Sequence, residues 1–457
     1  MIDFLKLEPA LEEIISLWGV PGLGVGIVQE GKIIYTRYFG VQSLDTRAPV
    51  TETSVFCIAS IAKIFVASAV MQLVERGLID LDAPVAQYLP YFSLDDARYK
   101  EMTIRQMLSH TSGMPDMEES EYDELVAHPE FDEGAAERYV RGLSHLKLAA
   151  APGERFLYSN IAYNVLGDLI AKISGQSFED YMREHILRPA GMPTSAFSHL
   201  DVPQDRLVLP HLRTPEMIVN PVYPYHRADA PASFLHTTVE EMCHWAITCL
   251  NGGVFNGARI LSPASYDLMW TPVVERGSPP FYESHGLGWV LGHFDGLKTA
   301  AHGGGGFGWT DFFFLLPEVN QAAVILCNEE SSARSRFIRA VIHAMLGKEP
   351  AAGTVSWMIP IGQALQEGGI QAAYARYAEI KDSPDYFFDE YELVTLVYQL
   401  MSVKKYDLAI EVLKLNLQVF PKSTESYHLL GTLYLKQGDP QQAEAMFAQE
   451  KQWTVNL

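Results

Sequence analysis

The sequence predicts a mixed α/β (α+β) chain: an antiparallel sheet flanked by helices, split by a long helical insertion and followed by a small all-α tail. Three observations predict it. Short alternating apolar runs stand at both ends of the first 350 residues, at 22–29 and 32–40 and again at 286–292, 299–302, 311–316 and 322–327. Between them, from about 80 to 235, helices and loops dominate. After Gly347-Lys-Glu-Pro350 the composition shifts to Gln, Tyr, Ala, Leu and Lys with a 34-residue repeat. Strands at both ends of an insertion imply one sheet built from distant parts of the chain. Strand follows strand directly within each group, which makes that sheet antiparallel.

Residues 3–19 read as an amphipathic helix that Pro21-Gly22 breaks. Glu30-Gly31 joins the first two strands as a hairpin. Gly22, Gly24 and Gly26 alternate in the first strand, as they do where another backbone lies close. They lack the third glycine and following helix of a dinucleotide fingerprint. Next, Ile61, Phe65, Val66, Ala69, Val70 and Leu73 recur at helical spacing, so a helix begins near Ser60, ends near Gly77 and is apolar nearly all round. Further helices are expected at 83–89, 103–108, 134–143, 161–174, 178–186, 238–251 and 333–346, with irregular chain over 201–235.

In the tail, Ala409 recurs as Ala443, Leu413 as Phe447, and Leu393, Leu396 and Leu400 as Tyr427, Leu430 and Tyr434. With Pro421 and Gly431 this is tetratricopeptide spacing. The expected organisation is a domain over 1–350, a helical linker over 351–388 and two helix pairs over 389–457. Two repeats are fewer than such arrays need alone, so the tail is expected to pack on the main domain, or to give protein or homo-oligomer contact.

The composition, 48% hydrophobic and 20% charged over 457 residues, is that of a folded protein with a large core. A formal charge of −22 argues against nucleic acid or an anionic membrane as partner. No apolar run reaches membrane-spanning length, and the N-terminus lacks the basic start of an export signal. Cys57, Cys243, Cys249 and Cys327 form neither a Cys-x-x-Cys pair nor a dense framework, which fits reduced thiols in the cytoplasm.

The chemistry starts with Ser60 and Lys63, one turn apart on the buried helix. A buried lysine gives up its proton readily, and beside a hydroxyl it can activate that hydroxyl as a nucleophile. Ser-x-x-Lys also occurs at Ser144/Lys147 and Ser402/Lys405, but only the first opens a long apolar helix. Tyr158-Ser-Asn160 adds a phenol that can relay a proton and an amide that can orient partners or cap the helix over 161–174. His302-Gly-Gly304 adds an imidazole and opens a glycine run that lets a substrate lie against a strand edge. The backbone N–H groups of Ser60 and Gly305 are the candidates for an oxyanion hole.

Taken together, Phe56-Cys-Ile-Ala-Ser-Ile-Ala-Lys63, Leu108-Ser-His-Thr-Ser-Gly-Met-Pro115, Pro152-Gly-Glu-Arg-Phe-Leu-Tyr-Ser-Asn160, Leu166-Gly167, Ser174-Gly175 and His302-Gly-Gly304 resemble the serine β-lactamase-like hydrolases. That family includes class C β-lactamases, D-alanyl-D-alanine carboxypeptidases, D-aminopeptidases and related esterases. The resemblance covers about residues 10–346. It implies a β-lactamase/transpeptidase-like fold, with a mixed α/β domain beside an all-helical one and the active site in the cleft between them. It implies Ser60 as acylated nucleophile, Lys63 and Tyr158 sharing its deprotonation and then protonating the leaving group, and Asn160 and His302 ordering the network. It implies a small ester, amide or short peptide as substrate, with no metal or cofactor required. Where class C β-lactamases carry Lys-Thr-Gly, this chain has His302-Gly303-Gly304, like peptidase and esterase members, so β-lactam hydrolysis is expected to be weak. The nearby Lys298-Thr-Ala300 lacks the glycine.

Two rival readings compete with this one. An α/β-hydrolase needs a Gly-x-Ser-x-Gly elbow, which this sequence lacks. A catalytically inactive scaffold acting through its tetratricopeptide-like tail would have no need for Ser60, Lys63, Tyr158, Asn160 and His302 together.

Overall fold

The computed structural model describes residues 4–117 and 119–454. They resolve into two compact units. One comprises Gly22–Leu209 and Val222–Asn328; the other comprises the described residues up to Pro21, Pro210–Pro221 and those from Glu329 onward.

The first unit holds an eight-stranded antiparallel sheet: β1 (Gly22–Gln29), β2 (Lys32–Gly40), β3 (Val274–Ser278), β4 (Tyr282–His285), β5 (Val290–Phe294), β6 (Leu297–Gly306), β7 (Trp309–Leu316) and β8 (Gln321–Cys327). Its order is β2-β1-β8-β7-β6-β5-β4-β3, and the join between the two sequence groups is β1 against β8, from Leu23 opposite Cys327 to Gln29 opposite Gln321. The hairpin turn falls on Glu30 and Gly31, both at positive φ. Two expectations change here. The run at 286–292 is divided, because Gly286–Trp289 turns the chain between β4 and β5. The glycines after His302 belong to the ten-residue strand β6, where aromatic-rich β7 pairs with them in register.

A third expectation is corrected in part at the alternating glycines. At Gly22 another backbone does lie close, a Cβ there standing 2.4 Å from the Val41 carbonyl oxygen, but at the other two it is a helix, Val239–Leu250: a Cβ on Gly24 would stand 2.6 Å from Val239, and one on Gly26 2.5 Å from Cys243 Sγ. There the opposing surface is made of side chains because the helix lies flat on β1.

Helix α1 of this unit (Ala62–Glu75) is entered through a 3-10 turn, Ala59–Ile61, and is buried at every residue from Ala62 to Leu73. Such burial, with no polar stripe, makes it the axis of the core. Helix α2 (Asn160–Ser174) packs against it, and Gly175 ends α2 in the left-handed conformation. Gly167 lets the short helix Ala230–Ser233 press onto α2: a Cβ there would stand 2.2 Å from Pro231. The carbonyls of 230–233 are thereby held against the core.

In the second unit, the expected helix at 3–19 is observed over Phe4–Trp18, residue 3 lying outside the described residues. It packs against helix Ala333–Met345. The small hairpin His211–Arg213/Met217–Val219 is pinned by Arg213, whose Nη2 donates to Trp18 O at 2.6 Å and pairs with Glu329 at 3.5 Å. Helix Met358–Ile380 breaks at Gly368-Gly369. Four helices follow, Glu390–Ser402, Tyr406–Val419, Thr424–Lys436 and Pro440–Thr454. The second pair starts 34 residues after the first.

Candidate active site

Ser60 lies in the 3-10 turn at the entrance to α1. Ala59 before it holds φ +43°, in the left-handed region that side-chain-bearing residues rarely adopt. The strained residue turns the chain abruptly from the short strand Phe56–Cys57 into the helix. Strand β6 runs hard against this turn, and a Cβ on Gly304 would stand 2.3 Å from the Ile58 carbonyl oxygen. Only glycine permits that approach.

One helical turn on, Lys63 is completely buried. Its Nζ donates to Ser60 Oγ at 2.9 Å, to Asn160 Oδ1 at 2.7 Å and to the Ala232 carbonyl at 2.7 Å. All three acceptors are neutral oxygens, and among the described residues no carboxylate lies within ion-pair distance of the amine. Burial pushes the lysine down to about 7, while the more distant charges of Asp116 and Asp229 oppose that shift. Asp229 is itself buried and raised above the usual carboxylate value, and it accepts a hydrogen bond from Asn164 Nδ2 at 2.8 Å.

Tyr158 Oη donates to Ser60 Oγ at 2.8 Å, so the serine oxygen sits between phenol and amine. Burial raises the phenol well above its usual value, against the lowering effect of the bond to Ser60. The ring stacks on His110 with centroids 4.3 Å apart. His110 is fully buried, and burial lowers its pKa well below the usual range. Its Nδ1 accepts from the Ser159 N–H at 3.1 Å.

The cap of α2 is Ser159, not Asn160. Ser159 has extended dihedrals, its Oγ accepts the Ala162 N–H at 3.2 Å, and it donates to Pro115 O at 2.8 Å. Asn160 becomes the first helical residue, and its amide is released to face Lys63.

His302, buried midway along β6, places Nδ1 2.8 Å from the Gly303 carbonyl and lies edge to face with His285 at 6.4 Å. Gly305 stands opposite Thr310 in the β6–β7 ladder. The register leaves Lys298 exposed near the start of β6, opposite His293. The structure thus joins Ser60, Lys63, Tyr158 and Asn160 in one hydrogen-bonded network. His302 reaches it through a stack of rings, His285 to His110 to Tyr158. Strand β5 pairs with β6 only as far as Ala301, and beyond it Gly304 meets the turn before Ser60.

Several neighbours were not anticipated. Ala232 acts through its carbonyl, which no side-chain pattern reveals. Asp229 lies in the stretch read as irregular. Arg276, on the unanticipated strand β3, sits 4.3 Å over the Phe156 ring and 4.9 Å over the Tyr282 ring. Asp116 follows the Leu108–Pro115 motif by one residue and would have been found by extending it. A surface hollow of about 570 Å³ between the β1–β2 turn and helix Val239–Leu250 contains none of these residues.

Comparison with known proteins agrees with this arrangement. The Beta-lactamase family profile matches residues 12–345. Penicillin-binding protein 4 of Amycolatopsis lactamdurans is 28% identical over 341 residues, covering 72% of this chain and 86% of that protein. Protein flp of Staphylococcus aureus (strain MW2) is 25% identical over 327 residues, which is 71% of this chain but only 63% of the relative's length. The octameric penicillin-binding protein homologue from Pyrococcus abyssi superposes with a TM-score of 0.66 at 27% identity, covering 76% of this chain and 78% of that one. With its antiparallel sheet, its buried Ser60-x-x-Lys63 helix and a profile match across most of its length, the chain belongs to the beta-lactamase family, whose members are serine hydrolases.

Proposed function

We propose that this chain hydrolyses an ester or amide through an acyl intermediate on Ser60. The observation that carries the reading is the surroundings of Lys63: a fully buried amine, 2.9 Å from a hydroxyl, whose other partners are two neutral oxygens. A neutral amine has two N–H groups and one lone pair. Asn160 Oδ1 and Ala232 O take up the two N–H groups, and the lone pair is left for the Ser60 proton.

In the proposed route, Ser60 Oγ attacks the carbonyl carbon while its proton passes to Lys63 Nζ, with Tyr158 Oη as the second contact on the same oxygen. The negative charge on the former carbonyl oxygen is held by the backbone N–H groups of Ser60 and Gly305. Collapse breaks the bond to the alcohol or amine, which takes its proton from Lys63 or Tyr158. Water then attacks the acyl carbon, gives its proton to the same groups and frees Ser60. His302 and Asn160 order the network. Short-chain esters, D-amino acid amides and short D-peptides are the proposed substrates. With no fixed cation at the His302-Gly303-Gly304 position, β-lactams should be poor ones. We propose the C-terminal helices as two tetratricopeptide-like pairs that offer protein contact.

The test is labelling with a fluorophosphonate probe alongside hydrolysis of p-nitrophenyl esters. The expected result is an adduct on Ser60, with turnover and labelling both lost in Ser60→Ala while the melting temperature is kept. Well-folded protein that takes no adduct would overturn the reading in favour of an inactive scaffold.

A further inference from the structure

Resting on the acyl-Ser60 reading, we infer that Asp116 is a positioning residue for the Lys63–Ser60 pair. It locks the Asn160 amide with its oxygen toward the lysine, and it supplies negative charge that keeps the amine a competent base.

The geometry leaves one arrangement. Asp116 Oδ1 accepts the Asn160 backbone N–H at 2.8 Å, and Oδ2 accepts from Asn160 Nδ2 at 3.2 Å. The amide's other end faces Lys63 Nζ at 2.7 Å. A carboxylate only accepts and an ammonium only donates, so the amide cannot turn over without losing both bonds. Without Asp116 it can. A reversed amide would aim Nδ2–H at the lysine, repelling the charged form and occupying the lone pair of the neutral form. That lone pair is the one the Ser60 proton needs.

The loop that carries Asp116 is fixed at several points, although the side chain itself is exposed. Gly153 N–H bonds to Thr111 O at 2.7 Å, Leu157 N–H to His110 O at 2.7 Å, Ser159 N–H to His110 Nδ1 at 3.1 Å and Ser159 Oγ to Pro115 O at 2.8 Å. These bonds tie the loop to the segment on either side of Tyr158, so phenol, amide and carboxylate are placed together. The motif Leu108–Pro115 gains a purpose: it delivers the next residue to the start of α2.

Lys63 is faced by Asp116 from this loop, Asp229 from the turn before helix Ala230–Ser233, the rings of Tyr158 and Tyr163 at 5.0 and 5.5 Å, and His110 and His285, both held below their usual pKa by burial. Of the two carboxylates, Asp116 has the larger effect on the amine. Removing its charge lets the lysine shed its proton at lower pH and makes it a weaker base.

The experiment compares Asp116→Asn and Asp116→Ala with the parent. Asp116→Asn keeps an oxygen for the Asn160 N–H but loses the charge. Its Nδ2 then meets Asn160 Nδ2 and favours the reversed amide, so plateau kcat should fall by about 10- to 100-fold while the acidic limb of kcat/KM moves down by roughly half a pH unit or more. Asp116→Ala should move the limb likewise and lower plateau kcat by about 10- to 100-fold. Titration of the Lys63 13Cε resonance, assigned by its loss in Lys63→Met, should show the same downward shift in both variants, and in a Ser60→Ala background. Melting temperatures should stay near the parent's. Parent-like kcat in Asp116→Ala, or an unmoved lysine titration in both variants, would overturn the inference. Because the lysine titration needs no turnover, it tests Asp116 even if hydrolysis proves independent of Ser60, which would overturn only the acyl-Ser60 reading.

Discussion

Each compact unit buries a cation, and the two treat it in opposite ways. Arg213 is paired with Glu329, whose side chain is fully buried, and also bonds the Trp18 carbonyl. Lys63 is hidden more completely, at 0% exposure against 11% for the Arg213 side chain, yet it is surrounded by neutral oxygens, and among the described residues its nearest carboxylates lie beyond ion-pair distance. Arginine keeps its proton under all ordinary conditions, so burying it demands a counter-charge. Lysine can relinquish its proton, so the same burial without a counter-charge yields a base. The missing partner is therefore the informative feature: a paired cation holds a hairpin in place, and an unpaired one is poised to accept a proton.

The comparison breaks most visibly at Lys63. Lys63→Met should lower kcat for p-nitrophenyl esters by about a thousandfold or more. It should also raise the melting temperature of that unit at pH 7 by roughly 5 °C. The sign follows from linkage. The folded lysine loses its proton near pH 7 and the unfolded one only near its ordinary value of about 10.4, so in that interval the unfolded chain binds more protons and the buried lysine costs stability. Differential scanning calorimetry should show the gap fully open at or below pH 7 and closing as pH rises toward 10.4.

Glu329→Ala probes the opposite case. Leaving Arg213 buried without its partner should destabilise the second unit by about 3–5 kcal/mol in urea unfolding, with turnover by the folded fraction unchanged. A comparable loss of turnover in that fraction would show that this pair also serves the chemistry.

Gly304→Ala comes next. The new methyl has no room against the Ile58 carbonyl, so β6 or the nucleophile's turn must shift, and kcat should fall by about 10- to 100-fold at nearly parental melting temperature. The mildest test uses the parent itself. Its kcat/KM should rise about tenfold per pH unit below 7 and level off above it, as the neutral amine becomes the dominant form.

The sequence made the strands legible where alternation was clean: 22–29 and 32–40 coincide with β1 and β2. It misread the run at 286–292, because Gly286 and Gly288 turn the chain inside an otherwise strand-like stretch. Strand β3, Val274–Ser278, carries almost no apolar pattern, being largely exposed, and so Arg276 within it escaped notice. At the site, side chains whose identity carries the chemistry were legible, namely Ser60, Lys63, Tyr158 and Asn160. Groups that act through the backbone or from irregular chain were not. The Ala232 carbonyl depends on where helix Ala230–Ser233 is pressed against Gly167, a tertiary fact that no local pattern encodes.

The triplet 158–160 at the head of α2 has a consequence for how this chain tolerates change. Phenol and amide converge on the Ser60–Lys63 pair while the residue between them caps the helix, so the three roles follow one another in a fixed order along the chain. Inserting or deleting a single residue there would hand every role to a side chain of the wrong kind, however well the composition were preserved. Loops elsewhere on the surface can lengthen or shorten, but this segment can vary only by substitution.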